Sequence, residues 1–248
     1  MSDESHAGLS PVHPDHISAN MSTARTKKRR DALASVDRAL SSQVAPKNAK
    51  LPKLSRAERA IVLKERILRA AAIVVGKLGY QDAAIAKITQ LAGIAQGTFY
   101  LYFGTRQELF DVLLPHAGQD MMQYIGTRVK GASSFLEVEE RGVRAFFDYL
   151  KENPGFYRLL NEAEFAAPIA HRRHMAQLVD HYVASLSRSC GEGRLSQFSD
   201  DEFKTIAYTA MAARSYLYLA FVKYGDVDSP PDTVVETYMR LIWGDSSA

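Results

Sequence analysis

Residues 88–109 of this chain read ITQLAGIAQGTFYLYFGTRQEL. The stretch has the pattern of one helix, a tight turn at Gly93, a second helix, and the capped start of a third helix. Glycine suits such a turn because it adopts a positive φ at little cost. The second helix carries few charges, and its polar side chains are Gln96, Thr98, Tyr100 and Tyr102. The stretch therefore predicts a helix-turn-helix with a polar but largely uncharged second helix.

The second helix is expected to run from about residue 96 to Phe103, with one buried side and one exposed side. Phe99 and Phe103 are four residues apart, so they share a face and are expected to anchor the helix in the core. The first turn is exposed, and in a helix of this kind that end enters the major groove of DNA. There Gln96 can pair with adenine, and Thr98 can touch a base edge or a thymine methyl group.

Further DNA contacts are expected around this first turn. Gly97 allows the backbone to approach the bases closely. The hydroxyls of Tyr100 and Tyr102 can bond to phosphates or, for Tyr100, to a base, and Arg106 can neutralise a phosphate from the start of the next helix. Lys87 is another phosphate candidate, although an ordinary surface charge explains it equally well. The candidate DNA-binding residues are thus Gln96, Gly97, Thr98, Tyr100, Tyr102, Arg106 and Lys87.

The net charge of +3 is unevenly distributed along the 248 residues. Residues 1–54 and 55–109 each carry a net charge of +4, whereas residues 110–248 carry −5. A basic end is a typical electrostatic footprint of nucleic-acid binding, although basic solvated surfaces are also common. The charge supports DNA binding because it lies beside the motif.

Residues 1–53 are expected to form a disordered basic tail. They are rich in Ser, Ala, Pro and His and poor in aromatic residues, so they offer little to bury. The run KKRR at 27–30 is either a solvated charge cluster or an arm that touches DNA phosphates or a minor groove. Residues 54–104 are expected to form the helix-turn-helix domain, and residues 105–248 a larger helical domain.

The chain as a whole reads as all-α, with about nine helices and no sheet. Helix starts are marked by S/T-x-x-E capping signals, which lie at Ser55, Thr105, Ser134 and Ser199. Ser229 followed by Pro230 marks the start of the last helix. The helix that begins at Thr105 is expected to be disturbed at Pro115 and Gly118. No run alternates with period two between turn signals, which leaves no candidate strand.

The stretch from Ile67 to Leu114 resembles the N-terminal DNA-binding domain of the TetR family of bacterial transcription regulators. The matching pieces are ILRAA at 67–71, GY at 79–80, LAGIAQGTFYLYF at 91–103 and RQELF at 106–110. By resemblance, the positions where the family contacts DNA are Gln96, Gly97, Thr98, Tyr100 and Tyr102. Arg106 occupies the place of the family's phosphate-binding lysine. The resemblance also implies a homodimeric regulator, most often a repressor, whose C-terminal helices hold a small-molecule pocket.

Two positions depart from the family pattern. The family usually has Ser or Thr capping both helices of the motif, whereas this chain has Ala84 and Ala95. Each missing cap should cost about 1 kcal/mol of local helix stability, and it removes a hydroxyl that often reaches a phosphate. DNA affinity is therefore expected to depend more on Arg106, the tyrosines and the basic tail.

The segments 206–224 and 234–243 are apolar on most sides, so they are expected to be buried between layers or between subunits. Two such helices from each subunit would form a four-helix dimer interface, with an internal core as the alternative. A dimer would also place two recognition helices about one turn of DNA apart. The sequence therefore favours a homodimer that binds a double-stranded operator.

Aromatic residues are dense between residues 146 and 182. Pockets for small ligands are mostly apolar with few polar groups, but aromatic side chains at helical spacing also fill ordinary cores. The residues assigned to a pocket are Phe146, Tyr149, Phe156, Tyr157, Phe165, His174, Met175 and Tyr182. A small apolar or aromatic effector is expected there, and no cofactor.

The sequence offers little for an enzyme or a metal site. It has no phosphate-binding glycine loop, no G-x-S-x-G elbow and no H-E-x-x-H motif. His171, His174 and His181 lack the paired Cys or His ligands of a structural zinc site. A helical interaction protein whose helix-turn-helix no longer binds DNA is the main alternative, and an all-α enzyme is a weaker one.

Compartment signals point to the cytoplasm. No apolar run approaches the roughly 20 residues that span a bilayer, and the N-terminus lacks the pattern of a secretory signal. The single cysteine, Cys190, cannot form an internal disulfide, which favours a reducing compartment. We therefore expect a cytoplasmic protein that has no membrane segment.

Overall fold

The computed structural model describes residues 55–189, 195, 197–225 and 229–244. Within these ranges the chain is helical and has no strand, which confirms the all-α class expected from the sequence. All of the described residues belong to one compact unit, Val44–Ala248. The predicted tail at residues 1–53 and Cys190 lie outside the described residues.

The described residues form nine α-helices, in agreement with the expected number. They are α1 (Arg56–Leu78), α2 (Ile85–Ala92), α3 (Gln96–Phe99), α4 (Arg106–Val129), α5 (Phe135–Glu152), α6 (Phe156–Ala166), α7 (Pro168–Arg188), α8 (Asp200–Leu217) and α9 (Asp232–Trp243). Helix α8 continues directly into a π-helical segment, Tyr218–Lys223.

Side-chain caps start several of these helices. At α1, the Ser55 hydroxyl accepts from the N–H of Glu58 (3.3 Å), and the Glu58 carboxylate accepts from the N–H of Ser55 (2.8 Å). At α4, Thr105 accepts from the N–H of Glu108 (3.1 Å), while the Glu108 carboxylate accepts from the N–H of Gly104 (2.8 Å). Both arrangements satisfy backbone donors that a helix start leaves unpaired, which confirms these predicted starts.

The second helix of the motif is shorter than expected. Its α-helical geometry ends at Phe99, and the chain continues in turns toward Phe103. In those turns the N–H of Tyr102 donates to the carbonyl of Phe99 (2.9 Å), and the N–H of Leu101 donates to the carbonyl of Thr98 (3.2 Å). Such bonds between residues three apart wind the backbone more tightly than an α-helix. The prediction of a helix to Phe103 is therefore wrong.

Two other local expectations are also corrected. Helix α4 runs unbroken through Pro115, which is buried within it. The last helix begins at Asp232 and not directly after Ser229. Its N-cap is Pro231, whose extended backbone (φ −54°, ψ 150°) prevents the helix from starting earlier. The other two predicted capping sites are confirmed, because the Ser134 hydroxyl accepts from the N–H of Glu137 at 3.3 Å and Glu202 accepts from the N–H of Ser199 at 2.9 Å.

The end of α1 packs directly against the start of α6. A Cβ atom on Gly76 would lie 2.7 Å from the Cα of Gly155, and a Cβ on Gly155 would lie 2.8 Å from the Cα of Gly76. The two backbones can approach this closely because neither residue has a side chain. This contact joins the helix-turn-helix segment to the helices that follow it.

We expect Gly76→Val to lower the free energy of unfolding by at least about 1–3 kcal/mol, because the added atoms must separate two backbones that have little freedom to move. Gly126→Val is the matched control, since a Cβ on Gly126 meets no atom within 4 Å and the residue also lies near the C-terminal end of a helix. Urea denaturation followed by circular dichroism measures both variants. Equal unfolding midpoints would show that the glycine contact does not limit stability.

A hydrophobic core lies where α9 packs on α5 and α8. Its buried members are Phe135, Leu186, Leu195, Phe203, Ala210 and Trp243. The rings of Phe135 and Trp243 meet edge to face, with centroids 4.9 Å apart. The expectation that the last two helices are buried therefore holds in part, because one side of α9 faces this core.

Candidate DNA-binding surface and ligand cavity

Helix α3 presents its first turn to solvent. Gly93 ends α2 in the left-handed conformation (φ 66°, ψ 34°), which redirects the chain into α3. Phe99 is fully buried, and its ring centroid lies 5.7 Å from that of Phe103, so the pair anchors the segment as expected. Gln96 and Gly97 are exposed on the opposite side. The fold therefore leaves the predicted base-reading turn free to meet a partner.

The other predicted DNA contacts surround this turn. Tyr100 is exposed, whereas Thr98 and Tyr102 are half-buried. A Cβ on Gly97 would meet no atom within 4 Å, so the glycine is not required by packing within the chain. The two alanines at the N-caps, Ala84 and Ala95, make no side-chain capping bond. The loss of these caps, expected from the sequence, is confirmed.

Two cations flank residues 96–103, which we call the recognition segment. Arg106 is exposed in the first turn of α4, its Nη1 donates to the carbonyl of Gln81 (3.3 Å), and its guanidinium lies 5.4 Å from the ring centroid of Phe110. Lys64 of α1 places its Nζ 5.8 Å from the ring centroid of Phe103. Sequence reasoning missed Lys64, because only the packing of α1 brings it beside a segment almost forty residues later. Lys87 is half-buried on α2.

Helix α6 holds the end of α1 through two charged side chains, Arg158 and Glu162, which we call the α6 clamp. Arg158 Nε lies 2.7 Å from Glu162 Oε1, and its Nη1 donates to the carbonyl of Lys77 at 2.8 Å. Glu162 Oε2 accepts from the N–H of Tyr80 at 2.9 Å. Between these two points Gly79 has a φ of 83°, and a Cβ there would lie 2.6 Å from Glu162 Oε2. The clamp therefore fixes the backbone at the end of α1.

Helix α4 also connects the recognition segment to α6. Gln107 Nε2, one residue after Arg106, donates to the carbonyl of Ala166 at 3.2 Å. Further along α4, His116 Nε2 lies 2.7 Å from Glu65 Oε2 of α1. Any shift of α4 relative to α6 would therefore act on the first turn of α4 and on α1 together.

A cavity of about 440 Å³ lies among α4, α5, α6, α7 and α8. Five of the residues assigned to a pocket from the sequence line it, namely Phe146, Phe156, His174, Met175 and Tyr182. Apolar side chains of α4 complete much of the wall, among them Met121, Met122 and Ile125. Its volume falls within the range of known small-molecule sites.

Three residues assigned to the pocket do not line this cavity. Tyr149 is buried in the core, where its hydroxyl donates to the carbonyl of Ala117 at 3.4 Å. Tyr157 packs against Tyr218, with ring centroids 4.8 Å apart. Phe165 is 86% exposed. It lies nine residues after the cavity residue Phe156, which is two and a half helical turns, so it points to the opposite side of α6.

A buried ion pair forms the polar part of the cavity wall. Arg214 Nη2 lies 2.5 Å from Glu139 Oε2 and donates to the hydroxyl of Tyr182 at 2.8 Å, and Arg214 Nε donates to the hydroxyl of Tyr238 at 3.0 Å. The Tyr182 hydroxyl in turn donates to Glu139 Oε2 at 2.5 Å. Sequence reasoning missed Glu139 and Arg214, which lie 75 residues apart on different helices.

Burial sets the protonation of this cluster. It raises the pKa of Tyr182 well above its usual value, so the phenol stays protonated and can donate. Burial alone would lower the pKa of the Arg214 guanidinium, but Tyr182 and Glu139 raise it well above the usual value. The Arg214 guanidinium therefore remains charged beside Glu139.

His174 is another polar residue of the cavity wall. It is 1% exposed, and its Nε2 has no hydrogen-bond partner among the described residues. Burial lowers its pKa to about 4, with a smaller contribution from His171, so the ring is neutral at pH 7. Within the described part of the chain, no three His, Cys, Asp or Glu side chains are grouped as metal ligands.

Comparison with known proteins assigns the first part of the chain. The sequence profile of bacterial regulatory proteins of the tetR family matches residues 67–113, which include α2, α3 and the start of α4. This segment therefore resembles the helix-turn-helix domain of that family. The uncharacterized HTH-type transcriptional regulator YvdT of Bacillus subtilis (strain 168) is 37% identical over 67 residues, which are 27% of this chain and 32% of that relative. The chain thus matches about a third of the relative's length.

Solved structures share the fold over most of the chain. A TetR-like transcriptional regulator from Rhodococcus sp. RHA1 superimposes with a TM-score of 0.55 at 18% identity, over 77% of this chain and 97% of that protein. The transcriptional regulator FadR from Bacillus subtilis, solved in complex with stearoyl-CoA, gives 0.57 at 15% identity, over 73% and 98%. The fold is therefore TetR-like beyond the DNA-binding domain. None of the described helices is long and apolar enough to cross a membrane.

Proposed function

We propose that the protein is a sequence-specific DNA-binding transcription regulator, and specifically a homodimeric repressor that a small apolar or aromatic ligand releases from its operator. The observation that carries the proposal is the exposed first turn of α3, held over buried Phe99 within the TetR-type domain. Such a regulator works where the DNA is, in the cytoplasm. No catalytic role is proposed for any residue.

In this proposal, the residues around α3 divide into base-reading and phosphate-binding groups. Gln96 and Thr98 read base edges from the major groove, where each base pair has a distinct pattern of donors and acceptors. Gly97 brings the backbone close to the bases. Tyr100, Tyr102, Arg106 and Lys87 bind phosphates and so fix the orientation of the helix. Lys64 joins this second group, because its ammonium lies beside the recognition segment.

A second copy of the chain is the proposed partner at the α8–α9 end. Tyr216 and Tyr224 are each 74% exposed, and Leu241 is 72% exposed. Helices α8 and α9 contact each other, and large apolar side chains exposed on neighbouring elements are candidates for a protein interface. A symmetric dimer through this surface would bind two half-sites, with recognition helices spaced by about one turn of DNA. The expected operator is therefore a palindrome or close to one.

The cavity is the proposed ligand site. The α6 clamp is proposed to transmit a displacement of α6 to the end of α1, in the helix-turn-helix domain. Phe156 lines the cavity and lies on the same helix as the clamp, two residues before Arg158 and six before Glu162. A ligand that binds better when α6 is displaced would move the end of α1 and disfavour the DNA-binding form. FadR from Bacillus subtilis, which has a similar fold, was solved in complex with stearoyl-CoA, and this supports the proposal of a ligand-responsive regulator.

The proposal is tested with DNA selected by the full chain from a random duplex library, followed by fluorescence anisotropy over a salt series. We expect Arg106→Ala to weaken binding to every sequence and to reduce the slope of log Kd against log salt by about one per subunit, because one phosphate contact is lost. Gln96→Ala and Thr98→Ala should instead leave the slope unchanged and relax sequence preference at one position each.

The outcomes separate the proposal from its alternatives. If Arg106→Ala and Gln96→Ala change affinity equally across all sequences, the division into phosphate and base contacts is wrong. If the folded, dimeric protein enriches no DNA sequence, the helical interaction protein becomes the better description. Sedimentation analysis of the same samples establishes whether a dimer is present.

A further inference from the structure

The cavity holds a buried imidazole nitrogen that nothing in the described part of the chain satisfies. His174 lies on α7 and faces Gly118 of α4, where a Cβ would lie 2.2 Å from the His174 Cε1 and 2.3 Å from its Nδ1. The glycine thus leaves room for the ring to sit against the α4 backbone. Its Nε2 is buried and has no hydrogen-bond partner among the described residues. Buried polar atoms are nearly always hydrogen-bonded, so a bound molecule is a candidate partner for this nitrogen.

The partner of this nitrogen need not carry a charge. The His174 ring is neutral at pH 7 because burial lowers its pKa to about 4. A neutral imidazole nitrogen donates in one tautomer and accepts in the other. A hydroxyl group can complete either tautomer, and a carbonyl group can complete the donating one.

The rest of the cavity wall disfavours an anion at depth. Arg214 already pairs with Glu139 at 2.5 Å, so the described lining residues offer no further buried cation to compensate a ligand carboxylate. A carboxylate placed there would lose its water and lie in the same cavity as the Glu139 carboxylate, both of which are unfavourable. Arg188 also lines the cavity, but it is exposed and lies fourteen residues from His174, about 21 Å along α7.

We propose that the cavity binds an uncharged amphiphile: a hydrocarbon body packed among the apolar side chains, with a hydroxyl or carbonyl group hydrogen-bonded to Nε2 of His174. The inference rests on the proposed function only for the role of this molecule as effector. Binding itself depends on the cavity alone. His174 is then the residue that selects neutral polar ligands over the corresponding acids.

Isothermal titration of the full chain with 1-octanol and with octanoate at pH 7, in the absence of DNA, tests this selection. We expect 1-octanol to bind and octanoate to bind roughly tenfold more weakly or worse. His174→Leu should weaken 1-octanol binding by roughly fivefold or more, because one hydrogen bond is lost. His171→Leu is the matched control on the same helix outside the cavity wall, and it should bind 1-octanol like the wild type. Equal or tighter binding of octanoate, or wild-type affinity in His174→Leu, would overturn the proposal.

A measurement on the wild type keeps the test valid if His174→Leu does not fold. The ¹⁵N resonance of Nε2 in histidine-labelled protein should shift on addition of 1-octanol and stay in place on addition of octane. The same movement with both ligands would show that cavity filling, and no hydrogen bond, is responsible. Because both experiments omit DNA, their failure would leave the DNA-binding proposal standing, and a failure to bind DNA would leave the amphiphile site standing.

Discussion

Gly97→Leu is expected to abolish sequence-specific DNA binding, weakening it by about a thousandfold or more, the gap that separates specific from non-specific affinity. The side chain would enter the space between the first turn of α3 and the base edges, and so would hold the recognition helix out of the groove. Phosphate contacts from Arg106 would persist, which leaves the salt-dependent, non-specific binding in place.

The same substitution should leave folding intact. A Cβ at residue 97 meets no atom within 4 Å, and leucine is a better helix former than glycine by up to about 1 kcal/mol. Anisotropy with the selected duplex measures the affinity, and thermal denaturation measures the stability. Ala176→Leu adds a side chain at an exposed position of α7 and serves as the control with wild-type DNA affinity. If Gly97→Leu retained specific binding, the first turn of α3 would not lie against the bases.

Glu139→Leu is expected to lower the free energy of unfolding by about 3–5 kcal/mol, which is the usual cost of removing one partner of a buried ion pair. The side chains of Arg214 and Glu139 are only 11% and 5% exposed, so the guanidinium would be left charged and poorly solvated. The substitution would also remove the acceptor of the Tyr182 hydroxyl, since Tyr182 and Arg214 both donate to Glu139 Oε2.

The double variant Glu139→Leu with Arg214→Met is the informative partner of this experiment. Replacing both charges with apolar side chains of similar size is often neutral, so the double variant should recover most of the lost stability. Urea denaturation of the wild type and of the two variants, at equal protein concentration, provides the comparison. A double variant as unstable as Glu139→Leu would mean that an unpaired Arg214 is not the source of the loss.

The sequence predicted the helix-turn-helix in more detail than the cavity. Phe99 and Phe103 were identifiable as an anchor because their separation in sequence fixes their separation on a helix. The turn at Gly93 and the helix start at Ser55 were predictable for the same reason, since each depends only on residues a few positions apart. It failed for the length of α3, where the backbone tightens after Phe99 although the residue pattern stays periodic.

Cavity residues were harder to predict because a cavity depends on several helices at once. Tyr157 directly follows Phe156, yet the two side chains point about 100° apart on α6, and only Phe156 reaches the cavity. Local density of aromatic residues cannot make that distinction. The exposed position of Phe165 has the same cause.

By itself, the sequence determined the features that depend on residues a few positions apart: the helix-turn-helix, the capped helix starts, the polar first turn of α3 and the absence of strands among the described residues. The tertiary structure alone decided which distant side chains meet. It placed Lys64 beside Phe103, closed the α6 clamp over Gly79, paired Glu139 with Arg214, and left His174 Nε2 without a partner. Local spacing fixes a face on one helix, but contacts between helices follow from how all of them pack together.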